Sequence, residues 1–286
     1  MLPISSRISF LTVEHCKIRM GGSVPVRIDI DPADGDNQRA VQETPIPMER
    51  LSCLMLGPGT SISQDAIKAF ANAGCLVLWT GESGVRVYSA GQPGGASGAH
   101  ILRQAEIILD PQKRLQAARR LYTRMMGDGS PSARPPERRS IEQLRGLEGV
   151  WVRNRYAELA KLHGVIWHGR NQRLSDPANR AISMATSTLY GVTEAAILAL
   201  GYSPALGIVH SGDARSLVFD MADTVKFRTV VPLAFEKVSA HGDDKDLAGI
   251  VRRACRDLFV KEKLLDLLVD IIQEVMDDAV DGHIPD

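Results

Sequence analysis

The residues best placed to do chemistry lie close together in sequence, at His210-Ser211-Gly212 and at Asp220-Met221-Ala222-Asp223-Thr224-Val225-Lys226. Asp220 and Asp223 are three residues apart, so a helix through them sets both carboxylates on one face, with Lys226 a further turn along the same stripe. His210 ends the apolar run Leu206 to Val209 and reaches the same point through the Ser-Gly turn. An imidazole combined with carboxylates suits manganese or magnesium, and suits calcium alone less well. Plainer readings stand beside this one. A histidine closing an apolar run is commonly a packing or turn residue, and Asp220 with Lys226 matches an ordinary exposed charge pattern. The helix is apolar and bears an aromatic residue, however, and a carboxylate on its inner side needs a compensating cation, either a metal or an arginine.

A second feature is Gly146-Leu147-Glu148-Gly149, inside an otherwise convincing helical pattern. Glycine within a helix costs about 1 kcal/mol relative to alanine. Two of them around one glutamate point to close approach by another backbone, with Glu148 either joining a site or simply facing water.

The elements that must position these residues fall into two groups. The first hundred residues carry strand character at Ile8 to Val13, Val24 to Ile30, Ser52 to Leu56, Cys75 to Thr80 and Val85 to Ser89. Among them Ser61-Ile62-Ser63-Gln64 forms a capping box for a short helix that closes at Asn72-Ala73-Gly74. The segment Gly91 to Gly98 cannot continue regular structure and reads as a linker. Beyond it the period becomes helical: Ile101 to Met126, a Pro- and Gly-rich loop from Gly127 to Arg139, then a helix opened by the capping box Ser140-Ile141-Glu142-Gln143 and stopped at Gly164. A small-residue helix from Pro177 to Leu200 is placed at the centre of the bundle, since small side chains let helices approach. Helices over Leu217 to Phe227, Asp246 to Phe259 and Lys261 to Ala279 follow. The expected class is α+β: a small, mostly β N-terminal domain over residues 1–96 and a larger α-helical C-terminal domain over residues 97–286.

Composition narrows the function classes. At 44% hydrophobic and 24% charged residues, with no apolar run of membrane-spanning length and no signal-peptide pattern at the start, the expectation is a cytoplasmic globular protein without a membrane role. Cys16, Cys53, Cys75 and Cys255 lack metal-binding spacing and sit in buried-strand or helical contexts, so neither a disulfide framework nor a zinc site is expected. The net charge is zero, yet residues 103–173 hold 15 Lys or Arg against 7 acids, while residues 240–286 hold 12 acids against 6 bases. The first stretch suits a polyanion, and arginines within it are expected to neutralise phosphates.

Several motifs in one order resemble a known family. Ser140 to Gly149, Ala185-Thr-Ser-Thr-Leu-Tyr-Gly-Val-Thr-Glu-Ala-Ala196, the run from His210 through Lys226, and Gly84 to Gly95 are similar to the CRISPR-associated integrase that inserts new spacers during adaptation, in its subtype I-E branch. The resemblance extends from about Leu51 to Phe259. The first fifty residues match less well, and the 127–139 loop is longer and richer in proline than the family pattern. The resemblance implies a β domain that pairs two subunits and a helical catalytic domain. It also implies Mg2+ or Mn2+ held by Glu148, His210 and Asp223 as catalytic ligands, with Asp220 as a supporting acid and Arg86, Tyr190 and Lys226 facing DNA. Its implied partners are protospacer DNA, the CRISPR repeat, a second copy of the chain, a small adaptation protein bridging two dimers, and a DNA-bending host protein. A general nuclease acting on branched DNA in repair, and a non-catalytic DNA-binding scaffold, remain the competing readings.

Overall fold

The computed structural model describes residues 8–29, 43–82, 87–91, 98–127, 140–171 and 176–276. Its N-terminal region is strand-rich and the region after it is helical. Arg86, most of the expected linker and most of the 127–139 loop lie outside the described residues.

Strands β1 (Ile8–Val13), β5 (Leu51–Leu56), β7 (Leu76–Thr80) and β8 (Val87–Ala90) form one sheet in the order β1-β5-β7-β8. The first three are parallel, and β8 closes the edge antiparallel. Strands β2 (Cys16–Gly21), β3 (Val24–Asp29), β4 (Glu43–Pro45) and β6 (Ser61–Ile62) form the second, in the order β4-β3-β2-β6. Helix α1 (Gln64–Asn72) packs against strands of both. Every residue of β5 is buried because the sheet is covered on both faces. Alternation sends Leu54 and Leu56 to Phe70 and Val77 on one side, and Cys53 and Met55 to Leu78 and Ala195 on the other. Ala195 belongs to the helical region, so one face of the sheet rests directly on it.

That region comprises α2 (Ala99–Leu109), α3 (Pro111–Met126), α4 (Ile141–Leu162), α5 (Pro177–Ala199), α6 (Ser216–Lys226), α7 (Val230–His241), α8 (Leu247–Lys261) and α9 (Leu264–Met276). Helix α5 is central, in contact with α6, α7, α8, α9 and the sheet. Its small residues permit this, and its buried Thr186, Thr188 and Thr193 hydroxyls return to carbonyls four residues back, so none is left unpaired.

Several sequence expectations shift. The single helix expected over 101–126 is two, because the Asp110 side chain accepts from the N–H groups of Gln112 and Lys113, and Pro111 occupies the first helical position. The cap of α1 is Ser63 rather than Ser61, since Ser61 and Ile62 pair with Lys17 and Ile18 of β2. Helix α7, left unassigned by the sequence, begins Val230-Val231-Pro232, whose β-branched residues and early proline hide a helix start. The box at Ser140 and Gln143 forms in full.

The glycines of α4 do not serve close packing. A methyl group at Gly146 or Gly149 would meet nothing within 4 Å among the described residues, so the expected backbone approach is not made by any of them. Gly146→Ala is therefore expected to raise stability by about 1 kcal/mol, the helix-propensity difference, with an unchanged slope in urea unfolding. Unchanged or lowered stability would mean that the space beside Gly146 is used.

The uneven charge along the chain is partly a packing device. Arg103 Nε and Arg120 Nη2 donate to the carbonyls of Met276 (2.7 Å) and Val275 (2.9 Å), satisfying the C-terminal end of α9 where cations are favoured. Arg124 pairs with Glu274 on the same helix. These three of the stretch's basic residues bond within the fold.

Candidate active site

The segment from Gly201 to Arg215, which carries His210, has no regular structure, so side chains must hold it. On one side Gln104 of α2, fully buried, donates from Nε2 to the carbonyls of Ser203 (2.9 Å) and Leu206 (2.7 Å) and accepts from the Ser203 N–H (2.8 Å). Arg114 of α3 donates to the Ile208 carbonyl at 2.7 Å. Gly207 permits the tight turn, since a Cβ there would lie 2.3 Å from the His210 carbonyl oxygen.

From the other side Asp220 of α6 reaches up into the same segment. Its Oδ2 accepts from the N–H groups of Ile208 (2.6 Å) and Val209 (3.1 Å), and its Oδ1 accepts from the His210 N–H (3.0 Å). The His210 ring places Nδ1 2.7 Å from Oδ1. A carboxylate only accepts, so Nδ1 carries the proton and Nε2 is the nitrogen left for a ligand, the usual arrangement behind a metal-binding histidine. The hydrogen bond to Asp220 raises the His210 pKa above its ordinary value against the opposing effect of burial, with Asp223 and Glu148 adding to it.

Glu148, His210 and Asp223 line one narrow pocket of about 20 Å3, together with Tyr122, Asp220 and Thr224. That volume is on the scale of a single water molecule or ion. Leu121, Met125 and Val209 supply its apolar wall. Glu148 is half-buried and accepts from the Tyr122 hydroxyl at 3.0 Å, so it does not simply face water. Burial raises its pKa, the Asp223 charge raises it further, and the Tyr122 hydrogen bond opposes both. Asp223 accepts from Lys226 at 2.5 Å, with side-chain exposures of 13% and 12%, so each is the other's main compensation for burial. Desolvation lowers the Lys226 pKa, but Asp223, Tyr190 and Tyr156 outweigh it and hold the ammonium charged.

Two facing carboxylates and one imidazole fit a hard divalent cation by donor type, and their mutual repulsion is what a cation would relieve. By position they are not yet a closed set: among the described residues no three His, Cys, Asp or Glu groups converge tightly enough to hold a metal. Lys226 donates to Asp223 Oδ1, so a cation held there would share that carboxylate with the ammonium.

The pocket opens beside a cleft of about 940 Å3 that shares His210 and Asp223 with it and is lined further by Arg170, Ser183, Ser187, Tyr190, Arg215 and Lys226. Arg170 is anchored on α5 through Asn179 Oδ1 and Ser183 Oγ, both at 2.9 Å. Phe219 joins the Tyr190 ring (5.1 Å) to the edge of His210 (5.8 Å), and the Arg215 guanidinium lies 5.3 Å over its ring. Tyr190 and Lys226 thus both reach the cleft. Tyr122, Gln104, Arg114 and Arg170 were not singled out from the sequence. Only Gln104 left a signal there, a polar residue within the apolar stripe of its helix.

Known proteins resemble the chain over most of its length. It is 43% identical over 280 residues to the CRISPR-associated endonuclease Cas1 of Escherichia coli strain K12, covering 96% of this chain and 87% of that protein. It is 42% identical over 280 residues to the protein of the same name from Geobacter sulfurreducens, covering 96% and 86%. A solved TtCas1–DNA complex superposes with a TM-score of 0.81 at 35% identity, over 96% of this chain and 98% of the other. The family model described as CRISPR associated protein Cas1 matches residues 33–128 and 130–246. The chain belongs to the Cas1 family. Among the described residues no helix is long and apolar enough to cross a membrane.

Proposed function

We propose that this chain is a divalent-metal-dependent DNA integrase and endonuclease of CRISPR adaptation, joining the 3′-hydroxyl of a captured DNA fragment to a phosphodiester at the edge of a CRISPR repeat. The observation that carries the reading is that Glu148, far from His210 and Asp223 in sequence, lines one pocket with them at the side of a cleft bearing Arg170, Arg215 and Lys226. Family membership supports it, as do relatives named CRISPR-associated endonucleases and a relative solved with DNA.

In this reading Mg2+ or Mn2+ bound by Glu148, His210 and Asp223 supplies Lewis-acid stabilisation of the charge that develops on a phosphoryl oxygen. The chain's own residues do the rest. Asp220 fixes the ring and backbone of His210. Arg170 and Arg215 draw phosphates into the cleft, so DNA affinity falls as salt rises. Tyr190 lies where it can pack against the strand, and Lys226 balances Asp223 until substrate arrives. No protein nucleophile is required, since the attacking group is the DNA 3′-hydroxyl; water in its place gives cleavage. Arg86 retains its proposed DNA contact. The working assembly is proposed as a homodimer, with a small adaptation protein bridging two dimers and a DNA-bending host protein at the repeat. The compartment is the cytoplasm, and the units are the β domain over residues 1–96 and the helical domain over residues 97–286.

The test is strand transfer and cleavage by the purified chain, with its small partner added, on labelled branched and repeat-containing DNA in Mn2+, Mg2+ or chelator. Joining and cleavage with metal, both lost in chelator, are the expected result. Cleavage of branched DNA without joining would replace the reading with a repair nuclease. DNA retention with neither reaction would make the chain a scaffold.

A further inference from the structure

We propose that Tyr122 is a positioning residue that selects the metal through Glu148, an inference that rests on the metal reading above. Tyr122 is 2% exposed, packed in the helical core, and its hydroxyl donates to Glu148 Oε2 at 3.0 Å.

The bond has two consequences for Glu148. It fixes the carboxylate against the pocket wall rather than leaving it free to turn out from α4. It also occupies one of the two carboxylate oxygens and leaves Oε1 as the unshared one. Calcium draws bidentate carboxylates and tolerates irregular, crowded oxygen shells, whereas magnesium and manganese accept single oxygens in a tighter shell. A carboxylate with one oxygen already engaged by a buried phenol therefore disfavours calcium relative to manganese. Arg114, two turns earlier on α3, holds the Ile208 carbonyl, so the same helix steadies the supports of both Glu148 and His210.

The test compares wild type, Tyr122→Phe, Glu148→Gln and the double variant for Mn2+ and Ca2+ binding, by electron paramagnetic resonance of free Mn2+ and Ca2+ competition. Thermal unfolding is followed alongside. Tyr122→Phe removes one oxygen and keeps the ring. It is expected to weaken Mn2+ binding about tenfold, the scale seen when the partner of a metal ligand is lost, and to narrow the Mn2+ over Ca2+ preference. In the Glu148→Gln background the same change is expected to have no further effect. If Glu148→Gln weakens Mn2+ binding but Tyr122→Phe alters neither affinity nor preference, the positioning role is overturned while the metal site stands. If Glu148→Gln leaves Mn2+ binding intact, the metal reading itself fails. An equal loss for both ions, accompanied by a lowered unfolding midpoint, would assign Tyr122 to packing and overturn the proposal.

Discussion

Asp223→Ala is expected to lower metal-dependent joining and cleavage by about 10^3-fold or more, the scale of removing several kcal/mol of metal-assisted charge stabilisation. Asp223 lines both the pocket and the cleft, and its charge is felt by Glu148 and His210. The same change must also cost stability. Lys226 keeps a side chain 12% exposed and loses its carboxylate partner Asp223, and truncating one member of a buried pair costs about 3 kcal/mol or more. The ring of Phe227, 5.2 Å from Nζ, offsets only part of that. Activity lost in the single variant is thus open to two causes, which Asp223→Ala combined with Lys226→Met separates. With the orphaned ammonium gone, stability measured by urea unfolding is expected to return most of the way, while joining and cleavage stay lost. Recovery of the reactions along with stability would show that Asp223 acts by neutralising Lys226 and not as a ligand.

That double role marks the boundary of what the sequence could convey. The spacing of Asp220, Asp223 and Lys226 announced a charged helix stripe, and the helix formed within a residue of where the pattern placed it. The pattern could not assign the two aspartates to different tasks. A helical stripe spans an arc, and only the neighbours decide that Asp220 turns inward to three backbone N–H groups while Asp223 turns to Lys226. Glu148 was located by the oddity of its flanking glycines, yet for a reason the fold does not uphold, since no described residue approaches those glycines. Tyr122 was invisible because a tyrosine in an amphipathic helix carries no mark of where its hydroxyl ends up. The strand-rich start and helical remainder were legible from the change of period. Strands β2, β4 and β6 were not assigned; β4 and β6, with two or three residues, are too short to show alternation. The net charge pattern could not show that Arg103, Arg120 and Arg124 bond to the end of α9.

Asp220→Ala is expected to be the most destabilising change at this site, costing about 3 kcal/mol or more, because it orphans a set of donors rather than one. The side chain is fully buried and accepts four hydrogen bonds, from the amides of Ile208, Val209 and His210 and from His210 Nδ1. The bonds to the Ile208 and Val209 amides are buried, so solvent can replace few of the partners lost. Asp220→Asn discriminates further. An asparagine of the same shape offers one accepting oxygen and one NH2, and whichever way it is placed the NH2 faces N–H donors. Asparagine is therefore expected to lose about 2 kcal/mol instead of behaving as a neutral isostere. In both variants amide hydrogen exchange across residues 207–210 is expected to quicken well before the core of α5 exchanges, since the segment is held by side chains and not by a ladder. Mn2+ binding should fall with it, as His210 loses both its tautomer and its place. Lys226→Met, which restores the Asp223 variant, has no partner to release here and is expected to restore nothing. An Asp220→Asn protein with unaltered unfolding and unaltered exchange at 207–210 would mean that Gln104 and Arg114 suffice to hold the His210 segment. The carboxylate beneath it would then be free for a direct part in the chemistry.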